Sequence, residues 1–198
     1  MGYFIIKRII DIVLSTVGVI ILSPIFLLIV IAIKIDSRGP IFFKQKRIGI
    51  HKNEFLILKF RTMRIDSPKD TPTHLLDNPD QWITRVGRIL RKSSLDELPQ
   101  IINILKGEMS IIGPRPALWN QYDLIEERDK YGANDVPAGL TGWAQINGRD
   151  ELDIKEKAKL DGEYAQKIGF IMDFKCFFGT INSVLKKDGV IEGRGKGK

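Results

Sequence analysis

A single cysteine, Cys176, excludes an intramolecular disulfide and any cysteine-based metal cluster. His51 and His74 are the only histidines, too few and too scattered to build a zinc site. All three are read as structural or surface residues, and the thiol count suits a reducing compartment. Internal repeats and low-complexity runs are missing, which removes repeat arrays. Apolar residues are not scarce: 43% hydrophobic against 28% charged is the balance of a folded protein and excludes wholesale disorder. Acidic side chains are the minority, 24 against 31 lysines and arginines. The resulting formal charge of +7 favours anionic partners: phosphorylated substrates, acidic lipid head groups or nucleic acid. The 198 residues fit one domain, or one domain plus a short appended element.

What the chain does have is one long uncharged run. Ile12 to Ile33 is 22 residues without a charge, bounded by Lys7, Arg8 and Asp11 before it and Lys34 after it. As a straight helix it would extend about 33 Å, enough to cross a hydrocarbon core of about 30 Å. A cleaved signal peptide has a shorter apolar region ending in small residues, unlike this run, which continues into Lys34-Ile35-Asp36. Ser23-Pro24 lies at mid-run, where proline removes a helix hydrogen bond. Two outcomes fit: a kinked spanning helix, or a hairpin that dips into one leaflet and returns. Basic residues on both flanks (Lys7 and Arg8; Lys34, Arg38, Lys44, Lys46 and Arg47) would be divided between the two sides by a span. A hairpin keeps them together.

Beyond a turn at Ser37-Arg38-Gly39-Pro40, the pattern predicts strands at Ile41–Phe43 and Glu54–Phe60 and a proline-rich loop from Asp66 to Asp80. Helices are expected over Trp82–Lys92, Leu95–Leu105, Ala117–Lys130 and Leu152–Lys167. Val136–Arg149 is glycine-rich and loop-like, and Glu192–Lys198 reads as a flexible basic tail. Phe174, Phe177, Phe178, Ile181, Val184 and Leu185 recur at helical spacing, a stripe that suits either the core or a membrane surface.

Ser94-Leu95-Asp96-Glu97 carries the strongest chemical signal. Ser94 with Glu97 three residues on fits a capping box, and acidic groups favour a helix start. A helix start can also place a reactive carboxylate beside amides that bind phosphate. Cations surround this acidic pair in the sequence. Lys59 and Arg61 end a strand, Arg85, Arg88 and Arg91 line a helix, and Arg115 is fixed between two prolines. Arginine's planar fork suits phosphate oxygens, so the set reads as a phosphoryl-transfer site.

Five stretches then agree in order with one family. Lys59-Phe60-Arg61-Thr62-Met63, Ser94-Leu95-Asp96-Glu97-Leu98-Pro99-Gln100, Lys106-Gly107-Glu108-Met109-Ser110, Gly113-Pro114-Arg115-Pro116 and Gly139-Leu140-Thr141-Gly142-Trp143-Ala144-Gln145-Ile146-Asn147-Gly148-Arg149 resemble the bacterial sugar transferases. These are the monotopic phosphoglycosyl transferases that begin lipid-linked glycan assembly. Lys7-Arg8 with Asp11, and Ser23-Pro24, match as well, and with no further apolar segment the chain resembles the small members that consist of the catalytic unit alone. The resemblance favours the hairpin. The expected fold is α+β, mostly helical: a re-entrant membrane helix hairpin over residues 1–38 broken at Ser23-Pro24, a cytoplasmic catalytic domain with interfacial amphipathic helices over 39–190, and the tail over 191–198.

The resemblance also implies a reaction. Asp96 would attack the β-phosphorus of a UDP-sugar, releasing UMP and forming an aspartyl phosphosugar that polyprenyl (undecaprenyl) phosphate then takes over. An aspartate is ionised at neutral pH and needs no base to act as nucleophile. Mg²⁺, held by Asp96 and Glu97, with Lys59, Arg61, Arg85, Arg88 and Arg115 on the phosphates, would offset the repulsion between anions. Glu97 is assigned to metal or proton management, and Gln145, Asn147 and Arg149 to nucleotide or sugar contact. The expected location is the bacterial inner membrane, with catalysis on its cytoplasmic face. A non-catalytic protein that binds anionic lipid explains anchor and charge but leaves the acidic pair without a role. A nucleic-acid binder lacks the aromatic interleaving of single-strand platforms. The identity of the sugar and the oligomeric state are not legible.

Overall fold

The structure, a computed structural model, describes residues 2–67, 78–148 and 151–186. Most of the proline-rich loop, Arg149 and the basic tail lie outside the described residues. The remainder is mostly helical around two small sheets, the α+β class expected.

Helix α1 runs from Gly2–Asp36 as one element of 35 residues, with Pro24 inside it. The separation into two helices at Ser23-Pro24 is not observed. Proline at 24 leaves the Ile20 carbonyl without its usual N–H partner. The Ser23 hydroxyl donates to that carbonyl at 2.8 Å, so the helix continues through the proline. One stripe of α1 is buried: Lys7, Asp11, Ser15, Ile29 and Ile33. These positions fall on one helical face, and that face meets the rest of the domain at both ends. At the start, Lys7 pairs with Asp173 at 2.5 Å and Arg8 donates to the Ile104 and Leu105 carbonyls. Asp11 accepts the Ile111 N–H. At the far end, Ile29 and Ile33 pack with Phe60 and Leu90, and Asp36 accepts the Val86 N–H. The other faces expose Ile, Leu and Val throughout.

Strands β1 (Phe42–Ile48) and β2 (Glu54–Phe60) form an antiparallel pair in which Phe43 faces Lys59. β1 outlasts its expected end at Phe43 because Lys44 and Lys46 alternate with Gln45 and Arg47, a period of two that a half-buried strand tolerates. Helix α2 (Arg85–Lys92) starts later than expected, since Thr84 caps it by accepting the Gly87 N–H, while Ile83 bridges to Met63.

The expected helix from Leu95 is broken. A 3-10 turn over Leu95–Glu97 precedes Pro99, and α3 (Gln100–Lys106) follows, closed by Gly107 at φ 89°. Ser94 makes no side-chain cap and takes the left-handed φ of 56°, so the capping-box reading is overturned. That backbone bend, rare outside glycine, turns Asp96 and Glu97 toward the sheet instead of along a helix start.

β3 (Ser110–Ile112) pairs in parallel with β5 (Gly139–Thr141), and β4 (Ala117–Leu118) adds to β1 where a helix was expected. α4 (Tyr122–Asp129), the short α5 (Trp143–Ile146) and α6 (Ile154–Gln166) cover these strands. α7 (Phe170–Lys186) turns Met172 and Cys176 into the core beside Tyr164. Phe170, Ile171, Phe174, Phe177, Phe178 and Ile181 remain exposed. Of the stripe read from the sequence, the described members therefore face outward; the side chains of Val184 and Leu185 lie outside the described set.

Candidate active site

Two adjacent carboxylates sit in different environments. Glu97 is closed on cations: its Oε1 accepts Lys59 Nζ at 2.7 Å and Arg115 Nη2 at 2.5 Å, and its Oε2 accepts Arg115 Nη1 at 3.2 Å. Burial alone would push this carboxyl up, but Arg115 and Lys59 outweigh it and hold it well below the usual carboxylate range. Asp96, only 9% exposed, makes no hydrogen bond or ion pair with a described residue. Burial raises its pKa, and the Glu97 charge adds to that rise; Lys59, Arg91 and Arg115 pull against it without cancelling it. Among the described residues, one carboxylate is thus a tied counter-ion and the other accepts no hydrogen bond while lying in the field of Lys59, Arg91 and Arg115.

The structure sorts the expected phosphate ligands. Lys59 and Arg115 are at the acidic pair. Arg61 is not: its Nε donates to the Pro40 carbonyl and its Nη2 to that of Ser37, so it clamps the turn leaving α1. Arg85 and Arg88 point outward, exposed. Arg91, three residues further on, turns inward and donates to Thr62 Oγ1 at 2.9 Å while acting on Asp96. Three-residue steps drift by about 60° around a helix, which separates Arg91 from Arg85 by roughly a third of a turn. Arg47 was read from the sequence only as part of the basic flank after the apolar run, not as a site residue. Burial, with Arg115 close by, lowers its guanidinium to about 10.

Glu97 was expected to hold metal or manage protons; the structure gives it two cationic partners. Gln145 has both amide atoms buried without a partner, beside Gly142. Asn147 is committed locally to the Trp143 carbonyl. Gly113, Gly139 and Gly142 approach so closely that a Cβ on any of them would lie within 2.2 Å of another backbone, which explains the glycines around the Arg115 loop.

The chain as a whole is similar to known proteins. The family model described as bacterial sugar transferase matches residues 2–187. The chain belongs to the bacterial sugar transferase family. Among the relatives of this transferase, the uncharacterized sugar transferase EpsL of Bacillus subtilis is 38% identical over 94% of the chain and 90% of that protein. The exopolysaccharide production protein ExoY of Sinorhizobium fredii is 36% identical, over 90% of the chain and 84% of its own length. The UDP-glucose:undecaprenyl-phosphate glucose-1-phosphate transferase of Escherichia coli is 41% identical over 88% of the chain, but only 39% of that protein is covered.

Proposed function

We propose that this sugar transferase moves a sugar 1-phosphate from a UDP-sugar to polyprenyl phosphate, with Asp96 as covalent carrier. The observation that carries this reading is the unengaged Asp96 carboxylate facing Lys59, Arg91 and Arg115 while Glu97 neutralises part of that charge. An Asp96 oxygen bonds to the β-phosphorus, the bond from that phosphorus to the bridging oxygen breaks, and UMP leaves with the bridging oxygen. The phosphate oxygen of the polyprenyl acceptor then attacks the same phosphorus and returns the carboxylate. Arg115 and Lys59 stabilise charge on the phosphoryl oxygens. Gln145, with an unused donor and acceptor, supports a nucleotide contact.

Magnesium is ordinarily held by one or two carboxylates with phosphates and water completing its shell. No group of three or more ligating side chains forms a cage among the described residues, and Glu97 is committed to cations. Asp96 is the fitting ligand, and the ion would supply positive charge at the diphosphate.

α1 is long and apolar enough to cross a membrane. Lys7 at its start and Asp36 at its end nevertheless both dock on the same domain. This supports an anchor embedded from one side, with α7's exposed aromatics at the lipid boundary and the catalytic residues on the cytoplasmic face. Single cysteines introduced as Gly2→Cys and Arg38→Cys are expected to react with an impermeant reagent from the same side; opposite sides would overturn the one-sided anchor.

The chemistry is tested by incubation with a panel of UDP-sugars without acceptor, read by intact mass. One phosphosugar adduct, absent in Asp96→Asn, is expected. UMP release that requires the lipid, with no adduct, would replace the covalent route by direct transfer.

A further inference from the structure

Behind Arg115 lies a set of buried groups that the mechanism does not use. In Gly113-Pro114-Arg115-Pro116 the prolines have no N–H, so carbonyls are the main handles by which the fold can grip the loop. All three following Gly113 are gripped. The Pro114 carbonyl accepts the Gly139 N–H at 2.8 Å. The Arg115 carbonyl accepts Arg128 Nη2 at 2.9 Å, and the Pro116 carbonyl accepts Arg47 Nη1 at 3.1 Å. Arg128 is itself locked by Asp161, whose Oδ2 accepts its Nε at 2.9 Å and its Nη2 at 2.6 Å, with both side chains almost fully buried. Arg47 leans on Gln45 Oε1 at 2.9 Å.

Two elements, β1 and α4, therefore grip a two-residue backbone segment whose side chain is the guanidinium paired with Glu97, and α6 holds the α4 donor in place. A buried ion pair such as Arg128–Asp161 contributes little net stability compared with apolar side chains of similar volume, because both charges lose their water. What it does supply is a donor fixed in direction. We propose that Arg128, locked by Asp161, together with Arg47, are positioning residues that aim Arg115 at Glu97 and at the diphosphate of the substrate. Neither hydrogen-bonds Glu97: Arg128 acts through the Arg115 carbonyl and Arg47 through that of Pro116, with the Arg47 charge also felt at Arg115 and Glu97. The proposal rests on the reading of Asp96 and Glu97 as the catalytic pair.

The test is a set of mutant cycles on the full chain in membrane extract, measuring UMP release from whichever UDP-sugar of the panel is turned over, with polyprenyl phosphate present. Asp161→Asn, Arg128→Lys and Arg47→Lys are each made in the wild-type and the Arg115→Ala backgrounds. In the wild-type background each is expected to lower kcat/KM by about 10- to 100-fold, the cost of a misplaced catalytic group. In the Arg115→Ala background the same changes are expected to cost less than about twofold, because the side chain they aim is gone. Their effect on melting temperature should be equal in both backgrounds, since the Arg115 carbonyl persists. An equal fold-loss of activity in both backgrounds would mean that these residues only stabilise the fold and would overturn the proposal, as would full activity in the wild-type background. Should the Asp161 or Arg128 variants not fold, Arg47→Lys, at a partly exposed strand position, carries the same cycle alone. Full activity of Asp96→Asn would instead sink the catalytic reading itself, a separate result.

Discussion

The face around Asp96 and the apolar exterior of this protein are built on opposite rules. Around and behind Asp96 several charged groups are closed on others: Glu97 on Lys59 and Arg115, Arg91 on Thr62, Arg128 on Asp161. Along α1 and α7 the reverse holds, and large apolar side chains such as Ile20, Leu28, Phe170 and Phe174 stand without cover. A water-soluble protein rarely leaves so continuous an apolar surface bare. Asp173 of α7 ties the two apolar helices to the core, accepting Lys7 and Tyr3 from α1 and Tyr164 from α6. The contrast teaches that the site around Asp96 is held by directional hydrogen bonds, whereas the faces of α1 and α7 present only apolar area.

Breaking the catalytic side should give the largest effects. Asp96→Asn is expected to reduce UMP release by about 10³-fold or more, the scale of losing a nucleophile, with no phosphosugar adduct by mass. Because burial raises the Asp96 pKa, activity should fall on acidification at a higher pH than a free aspartate would give. Glu97→Gln removes a like charge and frees two cations, so the surviving activity should move its acidic limb to lower pH.

The next effect is on stability. The folded pKa of Glu97 is depressed, so its contribution is complete above the unfolded value of about 4.3 and is lost as pH falls through the folded one. Glu97→Gln should therefore cost about 3 kcal/mol at neutral pH, as expected for breaking a largely buried pair. The difference should shrink below the ordinary carboxylate range, as followed by thermal melts across pH.

Changes on the apolar side should be smaller and selective. Phe174→Ser with Phe178→Ser is expected to leave adduct formation from the UDP-sugar intact while weakening vesicle binding by about 1 kcal/mol for each ring. An equal loss of adduct would show that α7 supports the core and would blur the comparison. Smallest of all, Arg85→Ala with Arg88→Ala should change adduct formation by less than about twofold, both side chains being solvated. A larger loss would return them to the catalytic face.

Much of this was legible in the chain. The apolar run, the acidic pair, Lys59 and Arg115 were found from residue type and spacing, and β2 and α6 appear close to where the patterning placed them. What spacing did not convey is direction. Ser94 and Glu97 have the separation of a capping box, but a left-handed φ at Ser94 sends the chain elsewhere. Pro24 looked like a helix end until Ser23 supplied the missing donor to Ile20. Arg61, two residues past Lys59, lies just beyond the end of β2 at Phe60 and closes the turn after α1 instead.

By itself the sequence determined which segments are apolar enough to leave water and which residue types can attack or neutralise a phosphate, because both follow from composition and local order. Only the tertiary structure decided which carboxylate is free and which is tied, and which arginines face them. Those outcomes depend on side chains brought from β1, β2, α2 and the Arg115 loop to one point, and burial and Coulomb interactions at that point have no counterpart along the chain.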